Sequence, residues 1–504
     1  MILKINGEIN RYYVQTLCMV FFPGTTFSEN EQPGEGVPEV TVDVYRDEEE
    51  TSVTAYASIK LNDKLCESTE SVSLSDEISF ATPEAIAVGK ALFAAGKELL
   101  GHTPPWGILT GVRPAKVANT ILRSGKGVLK AKKILRDEYF LNPQKASLAV
   151  AVANAEYKIM KKTPEDTCSL YISIPFCPSR CAYCSFVSYT TKRLLSMVDD
   201  YLDALINDLE DTVAIINKLG MRITTVYIGG GTPTTLSADQ MRRLLGRLSE
   251  LVDLGSLLEF TLEAGRPDTI TREKFEVAKA YGVTRVSVNP QTLNDDILRD
   301  IGRRHTVEDF YRAYELACEV GFRDINVDLI AGLPGDDFKN FSETVDKIID
   351  LAPTNITVHT FCVKKASDAL RNNSSVYSLS GGDAAKSVSY SQLKTKFAGY
   401  KPYYMYRQKN TVGNLENVGF AIEGHEGIYN VYMMEEFQTI FSVGAGAVTK
   451  LVKPENGPGS ERLILRLFRP KYPYEYLDEA SNERGAERRE KNRQEIFKFF
   501  EVED

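Results

Sequence analysis

The first third of the chain changes its hydrophobic period once. Alternating or β-branched runs at 12–22, 39–45 and 52–61 predict strands, whose side chains point to opposite faces at each step. The stretch 24–38, rich in Gly, Pro, Ser and Glu, predicts an exposed loop. At Thr82-Pro83-Glu84, an N-cap followed by proline at the first helical position, the spacing turns helical and stays so to Gly101. It returns at 114–124, 127–140 and 143–161, with Pro104-Pro105-Trp106-Gly107 as a break. Trp106, the only tryptophan, reads as a packing anchor. The polar run from Lys161 to Asp166 marks a domain boundary.

Beyond it, apolar strands alternate with helices. Strands are predicted at 169–174, 224–228, 257–263, 285–289, 324–330 and 355–361, and helices at 194–219, 238–252, 272–281, 307–320 and 337–351. Six such units predict an α/β fold, a partial parallel (β/α)6 barrel left open, since eight units would need more chain of this kind. Ligands gather at the C-terminal ends of the strands in such a barrel. The rhythm stops near Ser367. The remaining residues predict a small C-terminal domain, with an aromatic and basic stretch at 399–410, close backbone approach at 444–447 and a solvated charged helix at 483–495. The expected domains are therefore 1–165 (α+β), 166–366 (barrel) and 367–504.

Composition narrows the partners. With 43% hydrophobic residues in 504, the chain can bury separate cores for two or three domains. A net charge of -9 argues against nucleic acid, which is held by concentrated Lys and Arg. The start Met1-Ile2-Leu3-Lys4 carries no signal-peptide pattern. The apolar run 17–22 falls far short of the roughly 18 residues that a membrane span needs. A cytoplasmic protein without membrane contact is expected. In that reducing compartment clustered cysteines read as ligands or catalytic groups, while Cys18, Cys66, Cys318 and Cys362 read as small core residues.

The candidate chemistry starts at the first barrel strand. The segment Leu170-Tyr171-Ile172-Ser173-Ile174-Pro175-Phe176 runs into a loop holding Cys177, Cys181 and Cys184 at CxxxCxxC spacing. Three thiolates so spaced can hold one small inorganic cluster and leave one iron free. Structural zinc is the alternative, but it wants a fourth ligand, and Cys168 precedes the strand that the trio follows. After the second strand, Gly229-Gly230-Gly231-Thr232-Pro233-Thr234 exposes backbone N–H groups that can hold a carboxylate. Glu263 ends the third strand, where a carboxylate can accept both hydroxyls of a ribose. Gln291 and Asp328 end the fourth and fifth, and Arg303 comes after Gln291.

On the cluster loop, the GGGTPT segment and Asp328-Leu329-Ile330-Ala331-Gly332-Leu333-Pro334-Gly335, the region 169–361 resembles the radical S-adenosylmethionine (SAM) superfamily. Within it the resemblance is to the oxygen-independent coproporphyrinogen III dehydrogenases. Trp106-Gly107-Ile108-Leu109-Thr110-Gly111-Val112-Arg113-Pro114 and Gly413-Asn414-Leu415-Glu416-Asn417 extend it to the HemZ-type variant and to almost the whole chain.

That resemblance implies a [4Fe-4S] cluster on Cys177, Cys181 and Cys184, its free iron chelated by the amino and carboxylate groups of SAM. Gly230 and Glu263 match positions for the methionine and ribose of SAM, and Tyr171 an aromatic position beside the sulfonium. Gly231, Thr232, Gln291, Arg303 and Asp328 match positions that bind a second SAM in some relatives. The implied reaction is decarboxylation of two propionates of coproporphyrinogen III to vinyl groups, giving protoporphyrinogen IX, through a 5'-deoxyadenosyl radical. A tetrapyrrole substrate and a reductase or flavodoxin- or ferredoxin-type electron donor are implied as partners. The C-terminal domain would cover the substrate. Lys364, Lys365 and Arg407 are candidates for its carboxylates by position only, with a plain surface role as the alternative for each. Ser173 stands where many relatives have histidine, and Phe186 where the dehydrogenases have a further cysteine. The second departure occurs in relatives that bind and deliver haem, so a haem-trafficking protein is the alternative function.

Overall fold

The computed structural model describes residues 1–29, 34–47, 49, 51–74, 82–184, 189–362, 382–408, 411–453 and 462–502. The chain divides into two compact units. The first comprises Met1–Tyr157, Leu370–Lys386 and Met405–Asn417, the second Lys158–Ala369, Ser387–Tyr404 and Val418–Asp504.

In the first unit the strands β1 (Ile2–Asn6), β2 (Glu39–Arg46), β3 (Ser52–Leu61) and β4 (Lys64–Ser73) form one sheet in that order. Alternation works as expected in β3: Val53, Ala55, Ala57 and Ile59 are buried and their neighbours are not. The expected strand at 12–22 is instead helix α1 (Arg11–Phe21). Its β-branched and aromatic residues suit a strand, but Asn10 caps its first turn by accepting from the N–H groups of Tyr12 and Tyr13. Val14, Leu17, Cys18 and Phe21 then fall on one helical face, and all four are buried. Helix α2 (Pro83–Leu100) starts at the Thr82 cap and ends at Gly101, in the left-handed conformation at φ 62°. Helices α3 (Pro114–Arg123), α4 (Val128–Asp137) and α5 (Pro143–Lys162) come next.

Trp106 is an anchor, 2% exposed, with its indole N–H donating to Glu416 Oε2 at 2.9 Å. Arg407 is no surface cation. It is buried, its guanidinium donates to Leu109 O, and burial pushes its pKa down to about 10. Lys364, Lys365 and Phe186 lie outside the described residues.

The second unit is built on β5 (Thr167–Ile174), β6 (Arg222–Gly230), β7 (Glu259–Leu262), β8 (Arg285–Ser287), β9 (Asp324–Ala331) and β10 (Asn355–Thr360), paired in parallel in chain order. Helices α6 (Lys192–Leu195), α7 (Val198–Lys218), α8 (Ala238–Leu251), α9 (Arg272–Ala280), α10 (Asp295–Asp300), α11 (Val307–Val320) and α12 (Phe338–Asp350) connect them. Nearly every residue of β5 is buried on both faces, as a parallel sheet covered by helices requires.

The chain continues through α13 (Gly382–Phe397), β11 (Lys401–Arg407), β12 (Glu416–Ala421), α14 (Ile428–Glu435), β13 (Ile440–Val443), β14 (Val448–Val452), β15 (Ile464–Phe468), α15 (Pro473–Ser481) and α16 (Glu483–Phe500). β13 pairs with β5 in parallel, a seventh parallel strand beyond the six expected. The sheet order is β11-β12-β10-β9-β8-β7-β6-β5-β13-β14-β15, and among the described residues no pairing joins its two ends. The fold is an α/β open parallel sheet flanked by antiparallel strands. α16 is not wholly solvated, since Ile496, Phe497 and Phe499 are buried. Cys18 and Cys66 are buried, as expected of core residues, whereas Cys318 is exposed and Cys362 half-buried.

Candidate functional site

The end of β5 is fixed before the cysteine loop begins. Ser173 donates its hydroxyl to Ala445 O at 2.8 Å, and Tyr201 on α7 donates to Ser173 O at 2.8 Å while accepting from Ala445 N. Gly444 permits this approach: with φ 94°, a Cβ there would meet Ser173 O at 2.7 Å.

The loop then seats its cysteines one at a time. Cys177 is buried, its Sγ 3.2 Å from Thr232 Oγ1. Cys181 is buried, and its Sγ accepts from Arg266 Nη1 at 3.5 Å. Cys184 is half-buried. Burial pushes the Cys177 thiol up to about 11, with Cys184 and Cys181 adding to the rise and Thr232 opposing it, so the three thiols share one electrostatic neighbourhood. Cys168, near the start of β5, is fully buried at the far end of the strand.

Among the described residues no three Cys, His, Asp or Glu side chains are drawn in to hold a single metal ion. Three thiolates carried on one loop can each ligate one iron of a four-iron cluster. The donor set is three thiolates with a buried guanidinium against one of them, and it fits such a cluster.

Beside the loop, β6 ends in glycines that leave room for what faces them. A Cβ on Gly231 would lie 2.5 Å from Phe176 O. Gly230 has φ 108°, and a Cβ on Gly229 would meet Glu263 Oε2 at 2.9 Å. Glu263 comes directly after β7, and its carboxyl accepts from the phenol of Tyr227 on β6. Burial raises its pKa to about 7, with Asp328 adding and the Tyr227 hydrogen bond and His359 opposing. Tyr171 stacks on Tyr227 at 6.1 Å and on Tyr429 at 6.3 Å.

The remaining candidates divide. Gln291 is buried in the left-handed region at φ 70°, its Oε1 without a partner among the described residues, and its backbone N–H donates to Asp328 O at 3.1 Å. Asp328 lies inside β9 and not at its end. Burial works to raise its pKa, but His359 and Asn326 hold it below the usual value. Asn289 Nδ2 reaches its Oδ2 at 2.8 Å. Thr232 and Arg303 belong with the cluster loop. Thr232 meets Cys177, and Arg303 donates to Tyr183 Oη at 2.8 Å, to Gly265 O at 2.8 Å and to Asn289 O at 3.2 Å.

Sequence reasoning missed Tyr227 and Arg266. Strand alternation carried a signal for the first, since Tyr227 shares a face with Gly229, which lies against Glu263. Nothing in the local sequence marked Arg266.

Residues 171–348 match the Radical SAM superfamily. The oxygen-independent coproporphyrinogen-III oxidase-like protein HemZ of Bacillus subtilis (strain 168) is 38% identical over 380 residues, covering 75% of each chain. The chain belongs to this HemZ-type family of radical SAM proteins. Such a domain implies a [4Fe-4S] cluster and SAM. The heme chaperone HemW of Bacillus subtilis (strain 168) is 37% identical over 197 residues, which is 39% of this chain and 51% of that one. In structure the chain is similar to the coproporphyrinogen III oxidase HemN of Escherichia coli, with a TM-score of 0.46 and 24% identity over 59% of this chain and 67% of that one. Among the described residues no helix is long and apolar enough to cross a membrane.

Proposed function

We propose that the protein converts two propionates of coproporphyrinogen III to vinyl groups without oxygen, giving protoporphyrinogen IX. The observation that carries this reading is the 38% identity with the HemZ protein across 75% of each chain. The site is consistent with it. When bound, the cluster and SAM supply a 5'-deoxyadenosyl radical that can take hydrogen from an unactivated C–H bond, chemistry beyond any side chain.

This chain's residues divide the remaining work. Cys177, Cys181 and Cys184 ligate as thiolates. Gly230, at φ 108°, takes the methionine part of SAM, whereas the Gly231 N–H is already committed to Ile174 O at 2.8 Å. Glu263, aimed by Tyr227, accepts the ribose hydroxyls. Tyr171 offers an aromatic face to the sulfonium cation. Gln291 and Asp328 offer adjacent polar partners for a second SAM, while Thr232 and Arg303 hold the cluster loop.

Anaerobic incubation with coproporphyrinogen III, SAM and a reductant, with chromatography of the porphyrins afterwards, tests the reading. Products lacking one and then two carboxylates support it; unchanged substrate beside SAM cleavage removes the assigned substrate.

Haem binding and delivery is the second reading. It is favoured by the similarity to the heme chaperone HemW and by Phe186, while Ser173, its hydroxyl committed to Ala445 O, offers no imidazole to a substrate or SAM carboxylate. Stable haem binding and transfer without SAM cleavage would support it over the first.

A further inference from the structure

Arg266, which no sequence motif marked, stands against the cluster loop. It leaves the turn after β7 and is buried, 3% exposed. Nη1 donates to Ser179 O at 3.2 Å and to Cys181 Sγ at 3.5 Å, and Nη2 to Ser179 Oγ at 2.9 Å. Asp268 accepts on the other edge, from Nε at 3.1 Å and from Nη2 at 3.2 Å. The ion pair is therefore oriented, with its positive end on the sulfur and its negative end away from it.

A guanidinium needed only to fasten the loop could stop at Ser179. This one continues to the thiol, in a buried place where charge is weakly screened. His305, whose pKa burial and Arg303 push down to about 3, is neutral there and adds no charge.

We infer that Arg266 sets the reduction potential of the cluster through Cys181, with Asp268 as its counterweight. This rests on the cluster-binding part of the proposed function and not on the choice of substrate. Reduction adds one electron to a cluster already bearing thiolate charge. A cation at one thiolate favours the reduced form, and a hydrogen bond to sulfur acts in the same direction. Arg266 is a positioning and tuning residue, since it touches a ligand and not the reacting atoms.

The two partners give shifts of opposite sign. Arg266→Gln should lower the potential, and about a ten-fold fall in the reduced-to-oxidised ratio at a fixed poise corresponds to about 59 mV for a one-electron couple. Asp268→Asn, nearly isosteric, should raise the potential, and Arg266→Lys should stay close to the parent.

The experiment is an anaerobic redox titration of the reconstituted full chain by electron paramagnetic resonance, with iron and sulfide measured on each sample. Opposite shifts at equal cluster content bear the inference out. Unchanged potentials, shifts of the same sign, or cluster loss in all three variants overturn it and leave Arg266 as a fastening of the loop. Failure of the parent chain to hold a four-iron cluster is a separate result, which strikes the cluster assignment itself.

Discussion

Tyr227 on β6 donates its phenolic hydroxyl to the carboxyl of Glu263 at the end of β7. Glu263 is thereby held in place, and its charge depends on pH near neutrality. Burial, then Asp328, lifts its pKa to about 7, against the Tyr227 hydrogen bond and His359. Above that pH the carboxylate can accept two ribose hydroxyls; below it, the proton removes part of that capacity. SAM affinity should strengthen as pH rises through about 7 and level off beyond. Because the hydrogen bond from Tyr227 holds the value down, Tyr227→Phe should move the inflection to higher pH, and Glu263→Gln should flatten it. The sign for folding is opposite: the native carboxyl binds a proton that the unfolded one has released, so this group's contribution to stability falls as pH rises through the same window. Anaerobic equilibrium binding across pH checks the first effect, and urea midpoints of the apoprotein the second.

Removing any one of Cys177, Cys181 and Cys184 should abolish the four-iron cluster, read as iron and sulfide per chain and as visible absorption. Cys168→Ala serves as the control. Its thiol is fully buried at the start of β5, so the change should cost about 1 kcal/mol of stability and leave the cluster intact.

The glycines of β6 make a steric prediction. In Gly231→Ala the added methyl meets backbone at 2.5 Å, and the strand or the cluster loop must move. A loss of about 1–3 kcal/mol is expected. Gly229→Ala instead strikes the Tyr227 and Glu263 side chains, at 2.8 and 2.9 Å. It should weaken SAM binding more than folding, which denaturation and binding measured on the same two variants would separate.

Below the site, Arg285 lies 3.6 Å from Glu259 and 3.4 Å from Asp324, all three buried. Arg285→Met removes the cation between two buried carboxylates, leaving Glu259 the N–H of Ile428 and the Thr261 hydroxyl and leaving Asp324 His425, and should cost about 3 kcal/mol. A urea midpoint unchanged from the parent would show that water reaches these groups.

The barrel strands were legible because their apolar runs are long and separated by amphipathic helices. Each of the six matches an observed strand within a few residues, from β5 through β10. The cysteine loop and the glycines were legible because ligation and close backbone approach each admit few residue types. Helix α1 was misread because its residues favour a strand by type while their buried positions repeat at helical spacing. β13 escaped because a four-residue strand is too short to show a period, and only its pairing with β5 reveals its place. Arg266 and Tyr227 act on residues distant in sequence, and a single sequence holds no record of such contacts.

The central claim is that hydrogen leaves a substrate propionate at this cluster. The most direct measurement supplies coproporphyrinogen III deuterated at the propionate β-carbons, with SAM and a reductant under anaerobic conditions, and weighs the 5'-deoxyadenosine formed. Deuterium in 5'-deoxyadenosine, accompanied by vinyl product, is the predicted result. Unlabelled 5'-deoxyadenosine, or haem held and passed on with no SAM consumed, would contradict it.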